Sequence, residues 1–421
     1  MKVMTLSDNP NMFSGLARIH RNVIEAFKDC DLQILAWHLY TSEQVAKMKA
    51  KGEIEPVFYK TGDNEFELTG VPKKNGNNSM FAVFDQIEKF KPDVVFTIGD
   101  YSDFWYMKAI KEKLNYNFKW VPYFTIEHDE FDVLASVIKM ADLIMVPSLF
   151  GKDMLEKEFG REVVLAPYGI DKAFKMVSPE EKEALKKKWK VEKKYRFISV
   201  GQNTWRKQLP VLIQAMDILE GYGYGKDVEL YMHTNIHAID PMEAALFNLK
   251  EVAKKLKTNI RFPDDSMNHS LFDSPSDEIM AELYNASDYF VSSSICEGFG
   301  LPIVEAMACG LPAVCNGSST IYEHLGGRYG QSGSFLRGCV TKHRIEICPP
   351  ARMVHAPDAE QLAKGMTTMI EKAERKEGME GIRKACVEYA NGFDWGMART
   401  LIRKKVEEIA EKPTQVPVDI L

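Results

Sequence analysis

Apolar residues fall into short runs along the first half of the chain, at 3–6, 32–37, 94–98, 121–126, 143–146 and 163–165, rich in β-branched and aromatic side chains. Between several of them the spacing changes to three and four: Leu16, Ile19, Val23 and Phe27 define one face of a helix. Such alternation predicts a parallel sheet covered by helices. The pattern breaks over 171–195, where Ser178-Pro179-Glu180-Glu181 has the form of a helix start. The basic run 186–190 that follows reads as the solvated face of a surface helix in a linker. Strand-like runs then restart at 197–200, 228–232, 260–262, 289–292 and 313–315, with a helix over 210–219 that ends at Gly221. Phe393-Asp394-Trp395 leads into a last amphipathic helix over 398–409, after which Pro413 and Pro417 end regular structure.

A chain of 421 residues exceeds one comfortable hydrophobic core. Two successive α/β units therefore predict two facing Rossmann-like domains with a cleft between them, over 1–180 and 181–390, followed by a terminal helix and tail over 391–421. Ligands of such sheets sit outside the carboxyl ends of the strands.

Composition changes this picture little. With 45% hydrophobic and 27% charged residues the chain is an ordinary globular one, and its net charge of −6 weakens a role in gripping nucleic acid over the whole surface. Seven cysteines, none in CxxC spacing, argue against a disulfide framework or a zinc site. The start, MKVMTLSDNP, lacks the apolar stretch of a signal peptide, and no run approaches the roughly 20 apolar residues of a membrane helix. A cytoplasmic protein without a transmembrane segment is the expectation.

The densest chemical signal is Glu297-Gly298-Phe299-Gly300-Leu301-Pro302, continuing to Glu305 and Gly310 after the strand at 289–292. Two glycines flank Phe299 where a chain can pass close to a ligand. Pro302 opens a helix and Gly310 stops it. A helix start behind a glycine loop offers backbone N–H groups and a partial positive charge, which suits a diphosphate. Glu305, read in the first turn, can turn its carboxylate to paired ribose hydroxyls, and Glu297 lies on the loop facing the cleft. A plain turn with a dipole-satisfying acid is the bland alternative. Two carboxylates eight residues apart around the loop make it the weaker one.

Residues 297–310 resemble the E-x7-E element of the retaining GT-B glycosyltransferases, the large family that includes bacterial mannosyl- and glucosyltransferases. The resemblance extends to 141–148, 166–171, 282–288 and Phe393-Asp394-Trp395, the entry to a terminal helix that in this family crosses back onto the first domain. It implies a GT-B fold and donor contacts from Gly298, Phe299, Gly300, Leu301 and Glu305, with Glu297 approaching the transferred sugar.

In Gly201-Gln202-Asn203-Thr204-Trp205-Arg206-Lys207, two cations follow the end of a strand, where they could neutralise a leaving diphosphate. The resemblance places the phosphate-binding base at Lys207. Gln202 stands where the family often has Arg, so Arg206 either replaces that guanidinium or lies on the surface. Ser14-Gly15 opens the first helix and again offers backbone donors, and the family uses this glycine near the donor. At the end of the strand over 121–126, Glu127 and His128 both qualify for the His or acid that the family places near the reacting carbon. Asp100 and Asp103 are weaker candidates for acceptor contact. They lack Asp-x-Asp spacing, and no other cluster suggests a metal.

The resemblance implies front-face substitution with retention, catalysed without a metal or cofactor, moving a hexose-type sugar from a UDP- or GDP-linked donor. The acceptor hydroxyl is open: glycan, lipid, small molecule, or a hydroxymethylated base in phage DNA, since the opening 6–10 also looks similar to phage-encoded relatives. A GT-B-fold epimerase and a non-catalytic nucleotide-sugar binder are the competing classes.

Overall fold

The computed structural model describes residues 1–40, 56–73, 76–114, 116–236, 247–264, 275–327, 330–348 and 352–413; Pro417 lies outside them. The chain forms two compact units. One comprises Met1–Ile126, Phe131–Tyr168 and Trp395–Leu421; the other comprises Glu127–Glu130 and Gly169–Asp394.

The first unit is built on an eight-stranded sheet ordered β3-β4-β2-β1-β5-β6-β7-β8. Its strands are β1 (Lys2–Asp8), β2 (Asp31–Trp37), β3 (Val57–Thr61), β4 (Asn64–Gly70), β5 (Val94–Gly99), β6 (Lys119–Phe124), β7 (Ile144–Val146) and β8 (Val163–Leu165). All neighbours are parallel except the β3–β4 hairpin. Strands β1, β5 and β6 are buried almost throughout, which is why they read as continuous apolar runs rather than as alternation. Helix α1 (Gly15–Phe27) buries the face that carries Ile19, Val23 and Phe27. The terminal helix Trp395–Ala410 packs on it, with the Arg403 Nη1 2.7 Å from Asp29 and the Arg399 Nη1 donating to Asn22 at 2.9 Å.

The second unit holds a seven-stranded sheet ordered β11-β10-β9-β12-β13-β15-β14. It comprises β9 (Tyr195–Val200), β10 (Val228–His233), β11 (Ile260–Arg261), β12 (Tyr289–Ser292), β13 (Ala313–Asn316), β14 (Gly333–Phe335) and β15 (Gly338–Thr341), and an antiparallel hairpin of β16 (His343–Cys348) and β17 (Arg352–Pro357) stands beside it. In each sheet the strand order reverses direction about its first strand, between β1 and β5 and between β9 and β12. The loops after those strands are where a doubly wound sheet presents its ligand site.

The basic run at 186–190 lies at the surface as its composition predicts, with Lys187, Lys188 and Lys190 exposed. It ends the helix Pro179–Lys188, from which Lys182 and Lys186 reach the nearly buried Asp288 at 3.2 and 3.1 Å, while Lys188 pairs with Glu282. These contacts clamp the helix to the lead into β12.

Two buried imidazoles make folding pH-dependent. The His20 ring meets the Asp8 carbonyl at 2.8 Å and the Thr5 hydroxyl at 2.9 Å; that of His324 meets the Phe299 carbonyl and the Tyr389 hydroxyl. Burial disfavours the charged ring and outweighs the carbonyl contacts, holding both at about 4. The unfolded rings titrate near 6.5, so between those values the unfolded chain binds more protons and stability falls with falling pH. Each ring is expected to contribute stability that is complete above pH 6.5 and has dropped by about 3 kcal/mol at pH 4. Urea unfolding across that range should show a shallower pH slope for His20→Gln than for the wild type. Parallel slopes would remove His20 from the account.

Candidate active site

Strand β9 delivers the chain into Gly201, where the absence of a side chain makes room: a Cβ there would lie 3.3 Å from Lys207 Cε and 3.4 Å from Cδ. The Lys207 stem therefore crosses directly over the strand end. A short 3₁₀ turn, Trp205–Lys207, closes with Gln208 in the left-handed region. Ser293, just past β12, donates its hydroxyl to the Lys207 carbonyl at 2.7 Å, and the Ile295 N–H donates to the Arg206 carbonyl at 2.9 Å. The loops after the two central strands are thereby stitched together.

Glu297 lies between both cations. Its carboxylate accepts from Lys207 Nζ at 2.5 Å and from Arg206 Nη1 at 2.9 Å, and the same guanidinium donates to the Cys296 carbonyl at 2.5 Å. Arg206 also lies 3.5 Å from Glu127. Burial would raise the Glu297 carboxyl, but Lys207 and Arg206 overcome it and hold it at about 2, so the group is an anion throughout the neutral range. Burial pulls Lys207 down, against the pull of Glu297. Arg206 is held above its ordinary value: burial acts against its charge, and Glu127 and Glu297 more than compensate. Arg206 is thus part of this cluster, with a third of its side chain exposed, rather than a surface residue.

Beyond Glu297 the chain turns at Gly300, whose φ of +83° opens the helix Leu301–Ala308 without a side-chain cap. The helix stops at Gly310, also left-handed, as the sequence predicts. Glu305 is its fifth residue and so stands in the second turn, not the first: the helix starts at Leu301, once Gly300 has reversed the chain. The nearly buried Glu305 carboxylate accepts from the Tyr284 hydroxyl at 3.1 Å. The Phe299 ring is buried edge-on against His324 and Phe393, so this residue's side chain is committed to packing.

A strap from the segment after β13 holds the loop from behind. The Ser319 hydroxyl accepts from the Glu297 N–H at 2.8 Å and lies 2.9 Å from its carbonyl; Thr320 donates to the carbonyls of Glu297 and Phe299. The sequence places Tyr284 only within the lead into β12 and does not single out Ser319, Thr320 or His324. A glycine-serine stretch, Gly317-Ser318-Ser319-Thr320, at the carboxyl end of a strand was the available signal.

Glu127 and His128 lie three and four residues past the end of β6 and group with the second unit, although their strand belongs to the first. The Cys296 thiol sits 3.9 Å from Glu127 Oε2 and 3.8 Å from His128 Nε2. Glu127, His128, Arg206, Lys207 and Glu297 are therefore one contiguous cluster, which Cys296 joins unforeseen.

In the first unit Ser14 caps α1, accepting from the Ala17 N–H at 3.0 Å and donating to Asp8 at 2.7 Å. Gly15 is the first residue of that helix, and a Cβ there would meet nothing within 4 Å. Neither a tight turn nor local packing demands glycine at this position. Asp100 caps a 3₁₀ turn, accepting from the Ser102 N–H at 2.8 Å; Asp103 is nearly buried, and Lys73 lies 4.0 Å from it and 3.4 Å from Asp8.

Residues 181–326 match the family model described as Glycosyl transferases group 1. This span holds Arg206, Lys207, Glu297 and Glu305. The chain is 50% identical over 50 residues, 12% of its length, to the O-antigen chain mannosyltransferase B of Escherichia coli, and 26% identical over 214 residues, 49% of its length, to the mannosylfructose-phosphate synthase of Agrobacterium fabrum. The matches span 13% and 42% of the lengths of those relatives. Among solved structures it resembles a sucrose-phosphate synthase from Thermosynechococcus elongatus, with a TM-score of 0.71 at 14% identity over 97% of this chain and 99% of that one. It also resembles Anabaena HepE in complex with UDP and glucose, with a TM-score of 0.65 at 15% identity over 97% and 100%. The architecture these structures share with it is the GT-B fold. Among the described residues no helix is long and apolar enough to cross a membrane.

Proposed function

We propose, for a chain that carries a group 1 glycosyltransferase domain in a GT-B fold, that it transfers a hexose from a nucleoside diphosphate donor to a hydroxyl acceptor with retention of configuration. The observation that carries this reading is the pair of cations held by Glu297 at the strand-order reversal of the second sheet. Lys207 and Arg206 are arranged to receive a diphosphate, and the uncapped start of Leu301–Ala308 adds oriented N–H groups. Glu305, braced by Tyr284, would hold the ribose hydroxyls.

The chemistry needs no side-chain base. The acceptor oxygen forms its bond to the anomeric carbon on the face from which the diphosphate departs. As the carbon–oxygen bond breaks, the acceptor proton passes to the leaving phosphate oxygen. Glu297 stays ionised and gives no proton; its charge offsets the positive charge that grows on the sugar. Glu127 and His128 would line the reacting carbon, and the N–H groups at Ser14-Gly15, where a Cβ on Gly15 would meet nothing within 4 Å, would serve the donor.

The relatives support a hexosyl donor. Both curated relatives are named for a mannosyl group, and the HepE structure is described as holding UDP and glucose. The nucleotide, UDP or GDP, and the acceptor are to be read by mass spectrometry of donor turnover against a panel of hydroxyl acceptors. In the same assays Glu305→Ala should weaken nucleotide binding by about ten- to a hundredfold, the effect of losing a charge-assisted hydrogen bond of about 1.5–3 kcal/mol. Unchanged calorimetric affinity for both UDP and GDP in Glu305→Ala would remove the ribose assignment.

A further inference from the structure

We propose that Glu127, His128 and Cys296 form a binding site for a thiophilic divalent cation of the zinc class, and that its occupation inhibits the enzyme. One ligand atom from each, a carboxylate oxygen, an imidazole nitrogen and a thiol sulfur, lie within 4.8 Å of one another; among the described residues no other group of three such side chains does so. Two edges of the triangle start at the same sulfur, 3.8 Å from His128 Nε2 and 3.9 Å from Glu127 Oε2. A tetrahedral zinc ion with Zn–S near 2.3 Å and Zn–N or Zn–O near 2.1 Å has sulfur-to-ligand edges of about 3.6 Å. On the two sulfur edges shifts of a few tenths of an ångström therefore suffice, while the oxygen-to-nitrogen edge, which lies within 4.8 Å, would have to close to about 3.4 Å.

The surroundings favour these atoms as ligands. Glu127 presents one oxygen to Arg206 at 3.5 Å and the other to Cys296, so a charged neighbour already orients the carboxylate. The mixed S, N, O set selects a soft or borderline cation over magnesium or calcium. Binding is an exchange: the Cys296 S–H bond breaks, its proton leaves to the buffer, and the sulfur electron pair bonds the metal. The charge count leaves one net positive charge at the occupied site. Arg206 and Lys207 offset Glu127 and Glu297, and the new thiolate takes up half of a dication's charge. Three protein ligands leave a fourth position for water or a substrate oxygen.

Occupation would tie up Glu127 and His128, the groups assigned above to the reacting carbon. The inhibitory part of the proposal rests on that reading; the binding part does not. Binding is tested with cobalt(II), a spectroscopic stand-in for zinc, added to the full chain after chelator treatment and dialysis. One equivalent should produce a thiolate-to-cobalt charge-transfer band that zinc then displaces. Cys296→Ser should abolish the band, and His128→Asn should lower cobalt affinity at least tenfold, with circular dichroism reporting that both stay folded. No band at excess cobalt, or an unchanged band in Cys296→Ser, would overturn the site. In turnover assays, each variant compared with its own metal-free rate, zinc should slow the wild type and leave Cys296→Ser much less affected. Equal inhibition of both would overturn the inhibitory role while leaving the cobalt result to judge the site.

Discussion

Glu297→Gln is expected to lower kcat about a hundredfold with a much smaller change in donor KM, equivalent to about 2.7 kcal/mol of lost transition-state stabilisation. Glutamine keeps the volume and one hydrogen-bonding oxygen, so the loop held by Ser319 and Thr320 should keep its course. What disappears is a buried negative charge between two cations. In the ground state that charge serves Lys207 and Arg206; in the transition state it also faces a sugar that is becoming positive. Only the second interaction grows along the reaction, and only growing interactions change kcat. Because Glu297 titrates at about 2, lowering the pH of the wild type to 5 should not mimic the substitution. Steady-state kinetics on folded protein decides it. Full kcat in Glu297→Gln would reduce Glu297 to a residue that orders the loop and its cations.

Much of this arrangement could be read from the chain because buried parallel strands write themselves as apolar runs. β5 and β9 are covered on both faces, and their runs at 94–98 and 197–200 fall inside the observed strands. The hairpin β3–β4 is absent from the predicted runs although Val57-Phe58-Tyr59 is apolar; most of its residues alternate between exposed and half-buried, and Asn64–Gly70 interleaves polar with apolar positions and offers no continuous run. The glycine loop 298–300 was legible because a left-handed helix entry is local chemistry. The position of Glu305 was misplaced by one turn, since Pro302 fixes the neighbourhood of a helix start but not its first residue.

Contacts between distant segments were the illegible part. Nothing in the sequence pairs Lys186 with Asp288, Tyr284 with Glu305, or Cys296 with Glu127 and His128; these are contacts between segments far apart in the chain, which only the folded chain brings together. A lone cysteine beside a conspicuous Glu-Gly-Phe-Gly motif carries no spacing signal of its own, and so Cys296 was invisible until the fold placed it.

Lys207→Met should cost about a hundred- to a thousandfold in kcat/KM, the range seen when one preorganised donor to a developing anion is removed. Methionine retains the apolar stem that crosses Gly201, so the gap there stays filled and the turn Trp205–Lys207 keeps its packing. The loss is then of one charge from the place where the diphosphate gathers negative charge. A second effect follows from the pairing. Lys207 is the larger of the two charges that hold Glu297 down, ahead of Arg206, while burial pushes it up. Without Lys207 the Glu297 carboxyl should rise toward or above its ordinary 4.5. Glu297 acts as an anion, so the acid limb of the variant's kcat profile should move to higher pH than that of the wild type. Lys207→Arg should restore little, because a planar fork that begins after three methylenes does not lie over Gly201 as the four-methylene lysine stem does. If Lys207→Met kept its activity, or lost it with no movement of the acid limb, the coupling of this lysine to Glu297 would have no part in catalysis.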